Sequence, residues 1–392
     1  MTTTPAPITV NINGVNTTGT TLANVRVTGG RDSLTSQPSA SYATFSLIGA
    51  TLSAPEYLNK TVTITYSAQT IFSGLITDSK IGTLKLRPTW QPVHTLTAVG
   101  KLRNLTQITV PPLDTSTDSY RVAKIITQAL STQWGAAQGT WLTQTNTWDY
   151  VEYFSIDTGA YTLASVTSSS NGYDLATSTA TDAGGIITDT PTGQIAYQSE
   201  GYRNVTRFST DAITIDCAQY VDLDSAGVET QLGDVINTVN LTYATGTVTA
   251  QDTTSANAYG YQTNDVKTIL TDPVQAQNRA DRLVTQYAQP RANMRTLTIP
   301  MNIASDALSS QLAGVKVSTP LILTNVPTLL GGQSSLWRGY VEGYAWDIQK
   351  NDTYLTLNIS EYSLSTTSDR WRDKLVSQTW ATTATSYYWY NS

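Results

Sequence analysis

Two stretches decide the reading of this sequence: Ile71-Phe72-Ser73-Gly74-Leu75-Ile76-Thr77-Asp78 and, far downstream, Leu336-Trp337-Arg338-Gly339-Tyr340-Val341-Glu342-Gly343. Each runs aromatic, any residue, glycine, then an apolar pair. Each is followed by a loop and an alternating strand, Val93-His94-Thr95-Leu96-Thr97-Ala98-Val99-Gly100 in one case and Tyr354-Leu355-Thr356-Leu357-Asn358-Ile359 in the other. Each is preceded by a short β-run, Val62 to Tyr66 and Leu321 to Thr324. A period this long is not that of a solenoid, and it suits two related β-barrel domains within one chain.

Working outward, alternation dominates residues 8–100. Val62, Ile64 and Tyr66 alternate with threonines, Ser67-Ala68-Gln69 makes a short turn, and Phe72 opens the next strand, which reads as a compact antiparallel sheet or barrel. Pro111-Pro112 and the polar run from Asp114 to Asp118 break the pattern. Helical spacing follows at Val122, Ile125, Ile126, Ala129 and Leu130, with Asp118 or Ser119 as cap. A second helix is expected from Gly172 to Ala183, stopped by Gly184-Gly185, and then a hairpin of Ile186-Ile187 with Ile195-Ala196-Tyr197. Strand alternation returns over 235–243. Asp272-Pro273 opens the clearest helix, with Ala276, Ala280, Leu283, Val284 and Tyr287 on its buried face and Pro290 at its end. Strands are expected at 297–301, 315–317, 321–324, 337–348 and 354–359.

Composition narrows the function. The 392 residues are 40% hydrophobic and only 13% charged, with a net charge of −6. A dedicated nucleic-acid binder needs a basic face, because phosphate neutralisation supplies most of its affinity, and this balance does not provide one. A single histidine, His94, excludes sites built on two imidazoles. A single cysteine, Cys217, excludes an internal disulfide and any cysteine-rich metal cluster. The opening residues 1–7 carry neither the charged nor the apolar segment of an export signal, and no run approaches the ~18 apolar residues of a membrane span, so synthesis in the cytosol and no membrane span are expected. Threonine, valine and tyrosine suit β-structure, and a hydroxyl-rich surface poor in lysine and glutamate suits either a chain covered by neighbours or simple extracellular-style polarity.

Chemistry-bearing clusters are few. Asp216, Asp222, Asp224 and Glu229 are the densest acidic group. Asp222-Leu223-Asp224-Ser225-Ala226-Gly227 begins like a calcium loop, but Ala226 and Gly233 occupy positions that need oxygen ligands, so a turn is the simpler reading and no metal site is expected. Glu152, Glu200, Asp211 and Asp216 are the candidate carboxylates for a glycosidase pair, and none stands out as a pair. His94 reads as a structural or surface histidine and Cys217 as a small buried hydrophobe. The tail beyond Arg370, with Trp380, Tyr387, Tyr388, Trp389 and Tyr390, has no periodicity that buries its own rings and reads as an arm for a partner surface.

The order of several weak motifs resembles the hub proteins of bacteriophage tail tips and baseplates, often called minor tail proteins in phages of actinobacteria. The residues that carry it are Asn257-Ala258-Tyr259-Gly260-Tyr261-Gln262, Thr268 to Asp272, Ala276, Ala280, Leu283, Tyr287, Pro290, Arg295 and Leu297-Thr298. Gly339-Tyr340-Val341-Glu342-Gly343, Tyr354 to Ile359, Gly30-Arg31-Asp32-Ser33, Gln37-Pro38 and Phe72-x-Gly74-x-Ile76 support it. The resemblance implies a mainly β hub with two tube-type β-barrel domains and smaller α+β domains: a first barrel over 1–110, an α+β insert over 111–232, a second barrel over 233–365 with a helix at 273–288, and the aromatic arm over 366–392. It implies a non-enzymatic virion protein at the tail tip, without cofactor or metal. Three chains would adapt a sixfold tail tube to a threefold tip and form part of the DNA ejection channel. The implied partners are a homotrimer, distal-tail and tail-tube proteins, the tape-measure protein and other tail-tip or fibre proteins, with DNA only in transit. A distal-tail ring protein, or a carbohydrate-binding or cell-wall-degrading tail-tip protein, are the alternatives.

Overall fold

Thr61–Tyr66 alternates as the sequence requires: Val62, Ile64 and Tyr66 are buried and the threonines between them face outward. The chain turns back at Ser67 and Ala68, both at positive φ (49° and 62°), and continues as the long strand Gln69–Leu86. A two-residue turn of this hand matches the natural twist of the paired strands. The computed structural model describes residues 8–16, 21–34, 36–50, 53–86, 89–134, 154–222, 228–290, 293–327, 336–349 and 352–362.

Twelve strands form one sheet, ordered Ile213–Asp216, Pro320–Thr324, Trp337–Ile348, Thr21–Gly30, Ser39–Ile48, Thr89–Gly100, Gln69–Leu86, Thr61–Tyr66, Ile8–Ile12 and Val15–Asn16, with Thr353–Glu361 beside Trp337–Ile348 and Thr296–Pro300 beyond it. The mainly β expectation holds, with smaller α+β units attached. The two β-units are not seen as closed barrels. Among the described residues the sheet does not close on itself, and the two units share one apolar core that includes Phe45, Ile76 and Leu96 from one and Leu312, Trp346 and Leu357 from the other. They are fused because Gly343 to Ile348 pairs antiparallel with Val25 to Gly30.

The internal repeat is a matter of register. Gly74 stands opposite Val62 and Gly100, and Gly339 stands opposite Leu321 and Glu361. A β-bulge follows at the same distance in both strands, between Ile76 and Asp78 and between Val341 and Gly343. At both glycines the aromatic ring two residues earlier lies over the backbone. A Cβ on Gly74 would meet the Phe72 ring at 2.7 Å and the Val99 carbonyl at 2.4 Å, and one on Gly339 would meet the Trp337 ring and the Ser360 carbonyl, both at 2.1 Å. The strand entries match too. Asn59 (φ 59°) donates its N–H to the Ile76 carbonyl at 2.9 Å, as Ser318 (φ 66°) donates to Val341 at 2.7 Å. A helix precedes each of these residues, Ala54–Tyr57 in the first unit and Asp306–Ala313 in the second.

Two smaller cores hang on this frame. The first packs the helices Asp118–Trp134 and Gly172–Asp182 against the hairpin Ile186–Asp189/Ile195–Gln198, as the sequence suggests. Asn171 caps the second helix by accepting the Tyr173 N–H at 2.9 Å. Asp118 is not the cap expected for the first helix. The helix begins at Asp118 itself, and its buried carboxylate accepts the Tyr197 hydroxyl at 2.5 Å. The second small core packs Pro273–Tyr287 on the three-stranded sheet of Gly246–Gln251, Thr238–Tyr243 and Thr263–Lys267, with the Asp272 cap accepting the Val274 N–H at 2.8 Å. Two expectations fail locally. Val315 to Val317 is not a strand: Val315 and Val317 are buried where the chain leaves Asp306–Ala313, while Lys316 between them is exposed and the segment pairs with no strand among the described residues. The strand expected from Val235 begins only at Thr238, because Asn237 is buried and spends its amide on the Gly260 carbonyl and the Gln262 N–H.

Candidate functional site at the seam of the repeat

Glu342 is the extra residue of the second bulge. A bulge re-aims a side chain, and here it turns a carboxylate inward to 2% exposure. Arg31 donates Nε to it at 2.7 Å, Arg203 donates from both terminal nitrogens, and the Ser360 hydroxyl donates as well. Arg31 comes from the first β-unit, Arg203 from the chain that follows the 195–198 strand, and Glu342 from the second unit. One carboxylate therefore ties three chain regions together.

The rest of the cluster is satisfied. Arg31 donates to the carbonyls of Leu34 and Ser36, both at 3.0 Å. Arg203 donates Nε to Ser318 at 2.8 Å, Ser318 donates onward to Gln198, and the guanidinium lies 5.2 Å from the Tyr340 ring centre. Burial alone would raise the Glu342 carboxyl. The charges of Arg203 and Arg31, with hydrogen bonds from Arg203 and Ser360, outweigh burial and hold it well below the usual carboxylate range. Burial lowers the Arg31 guanidinium. The backbone closes the seam beside these charges: Arg31 donates its N–H to the Glu342 carbonyl at 2.9 Å. Gly30 (φ 89°) has no room for a Cβ, which would meet that carbonyl at 2.4 Å.

Two further polar contacts fasten the small cores. Asp189 accepts the Ser41 N–H at 3.1 Å and its hydroxyl at 3.0 Å, and burial pushes its carboxyl up to about 6 against those bonds. Glu200 pairs with Arg279 at 3.8 Å and with Arg282, and accepts the Tyr161 hydroxyl, joining the two small cores.

The chemistry-bearing residues singled out in the sequence do not converge. Glu200 is held by arginines, Asp211 pairs with Arg207 at 3.1 Å, and Asp216 caps Cys217–Tyr220 by accepting the Ala218 N–H at 3.0 Å. Asp222 is exposed, while Glu152, Asp224 and the arm over 366–392 lie outside the described residues. Cys217 is buried, and burial followed by the Asp216 charge pushes its thiol up to about 11. His94 is buried with its ring 5.2 Å from that of Tyr57. No group of His, Cys, Asp or Glu among the described residues has metal-holding geometry, and no described helix is long and apolar enough to cross a membrane. Sequence reading missed the seam cluster as a cluster, although Arg31 and Glu342 each stood in a quoted motif. The available signal was a lone carboxylate in the otherwise apolar run Tyr340 to Trp346.

No protein-family model and no curated protein matches the sequence. Solved structures do. The prophage MuSo2 43 kDa tail protein from Shewanella oneidensis superposes with a TM-score of 0.60 at 8% identity, over 91% of this chain and 99% of that one. The tail protein from Neisseria meningitidis MC58 gives 0.61 at 11% identity, over 93% and 100%. The chain has the fold of phage tail proteins. A Francisella PdpA-VgrG complex shares it at a TM-score of 0.50 and 11% identity, over 93% of this chain and 54% of that one.

Proposed function

We propose that this chain is a structural component of a phage tail tip, a hub that closes the tail tube. Its narrower form is a minor tail protein of the actinobacteriophage type. The observation that carries this reading is the repeat in register: one polypeptide supplies two equivalent β-units locked by a buried seam, within a fold shared with tail proteins. Three such chains present six units, which is what a sixfold tube needs where it meets a threefold tip. In this reading the partners are two further copies, distal-tail and tube proteins, the tape-measure protein and tip or fibre proteins, and the location is the virion tail. DNA passes through without being held, which a net charge of −6 and a hydroxyl-rich surface favour. The hub role is structural rather than catalytic, and the engagement of Glu200, Asp211 and Asp216 in ion pairs and a cap supports that. Imaging of intact virions with the chain labelled tests the assignment. Density at the tail tip is expected, and label along the tail shaft or in the capsid would refute it.

A further inference from the structure

The repeat leaves one position filled in the second unit and open in the first. At the seam, Gly343 to Ile348 is covered along its outer edge by Val25 to Gly30, with Ala345 opposite Thr28. The register maps Gly343 onto Asp78, since these residues follow the two bulges and stand opposite Asn358 and Thr97. The equivalent edge of the first unit is therefore Asp78 to Thr83. Among the described residues no strand pairs with it. The hairpin that carries it exposes apolar side chains: Ile81 is 57% exposed, Leu84 39% and Trp90 63%. Beside the bulge, at the positions equivalent to Tyr340, Val341 and Glu342, Leu75, Ile76 and Thr77 line an open cleft of about 480 Å³ with Asn59 and Arg103. Unpaired, partly apolar strand edges are templates for another strand.

The same register identifies the strand that fits. Thr44 stands opposite Thr97, and Thr296 stands opposite Asn358, so Thr296 is the second unit's Thr44. Two residues earlier, Tyr42 pairs with Thr28 in the first unit and Met294 pairs with Val228 in the second. Val228–Glu229 is thus the second unit's version of the strand that fills the seam, and among the described residues its other edge is also unpaired. One chain therefore carries an open socket on its first unit and an unused plug on its second, at opposite ends of the repeat.

We infer that Val228–Glu229 of one copy pairs antiparallel with the Asp78–Thr83 edge of a second copy, with Val228 opposite Lys80 as Thr28 is opposite Ala345. The contact is head-to-tail, so it generates a ring if the rotation closes. The inference names the contact surface of the proposed hub, and it takes from that proposal only the number of copies. The test is the full-length Lys80→Cys/Val228→Cys variant, oxidised mildly. Directly opposed antiparallel residues lie about 4.5–5.5 Å apart at Cα, within disulfide range. An inter-chain 80–228 disulfide, mapped by peptide mass and absent from each single variant, is expected, with the covalent series ending at three closed chains. The same disulfide in a series ending at another number would uphold this contact and overturn the threefold hub. Circular dichroism checks the fold of the variant. A folded variant that forms oligomers without the disulfide, or that stays monomeric in sedimentation at high concentration, overturns the inference.

Discussion

Arg31 donates its backbone N–H to the Glu342 carbonyl at 2.9 Å and its Nε to the carboxylate of the same residue at 2.7 Å, across 311 positions of sequence. The first bond belongs to the sheet seam and the second to the ion cluster, so strand pairing and charge pairing fix the same point. Apolar packing alone tolerates sliding. A buried carboxylate that needs two guanidiniums does not, and the junction is thereby held in one register.

Glu342→Gln should therefore be strongly destabilising. It removes the carboxylate that Arg31 and Arg203 share at the seam and leaves two buried cations facing each other, at a cost of about 3–5 kcal/mol. Urea unfolding measures it. Arg31→Met in the same background should cost less than in the parent chain, because the pair is already broken, and a double-mutant cycle gives that coupling.

Gly74→Ala and Gly339→Ala should behave alike. Each Cβ would press on a backbone carbonyl and on the ring two residues earlier, and each should cost about 1–3 kcal/mol. Gly82→Ala, whose Cβ would find its nearest atom at 3.9 Å, should be close to neutral. Unequal losses at 74 and 339 in thermal melts would count against an equivalent role in the two units.

The Ser67-Ala68 turn adopts positive φ at two residues that disfavour it. Ala68→Gly should raise stability by roughly 1 kcal/mol and Ser67→Asn by less, since asparagine and glycine accept this conformation readily. Denaturant midpoints of the single variants report it.

Acidification should act in two opposed steps. The carboxyls of Asp182 and Asp189 are raised to about 6 by burial, so the folded state binds protons more readily than the unfolded chain. Their cost is present at pH 7 and is relieved as pH falls from about 6 toward 4. Glu342 is lowered instead, so its contribution is present above the ordinary glutamate range and is lost as pH falls below it. The melting temperature should rise from pH 7 to about pH 5 and fall below about pH 4, and Asp189→Asn should reduce the rise.

Much of this fold is legible from local pattern. Asp272-Pro273 fixes the start of its helix, and the aromatic-x-glycine run with its apolar residues marks the strand Trp337–Ile348. Thr253–Tyr259 and Asp306–Ala313 escape notice because seven or eight residues give too little periodicity, although Asp252 and Ser305 both cap as their types suggest. The repeat is visible as aromatic-x-glycine. Its consequence is not, because the Gly343–Ile348 and Val25–Gly30 strands lie more than 300 residues apart and nothing local dictates that they pair. The seam cluster is harder still. Arg31, Arg203 and Glu342 are ordinary surface residue types until three separate chain regions enclose them.

The account rests on one chain supplying two equivalent β-units, so that three chains make six. Native mass measurement of the purified full-length protein tests this most directly. A dominant species of three chains is expected. A closed species of six chains, or a chain that remains single at every concentration, would contradict it.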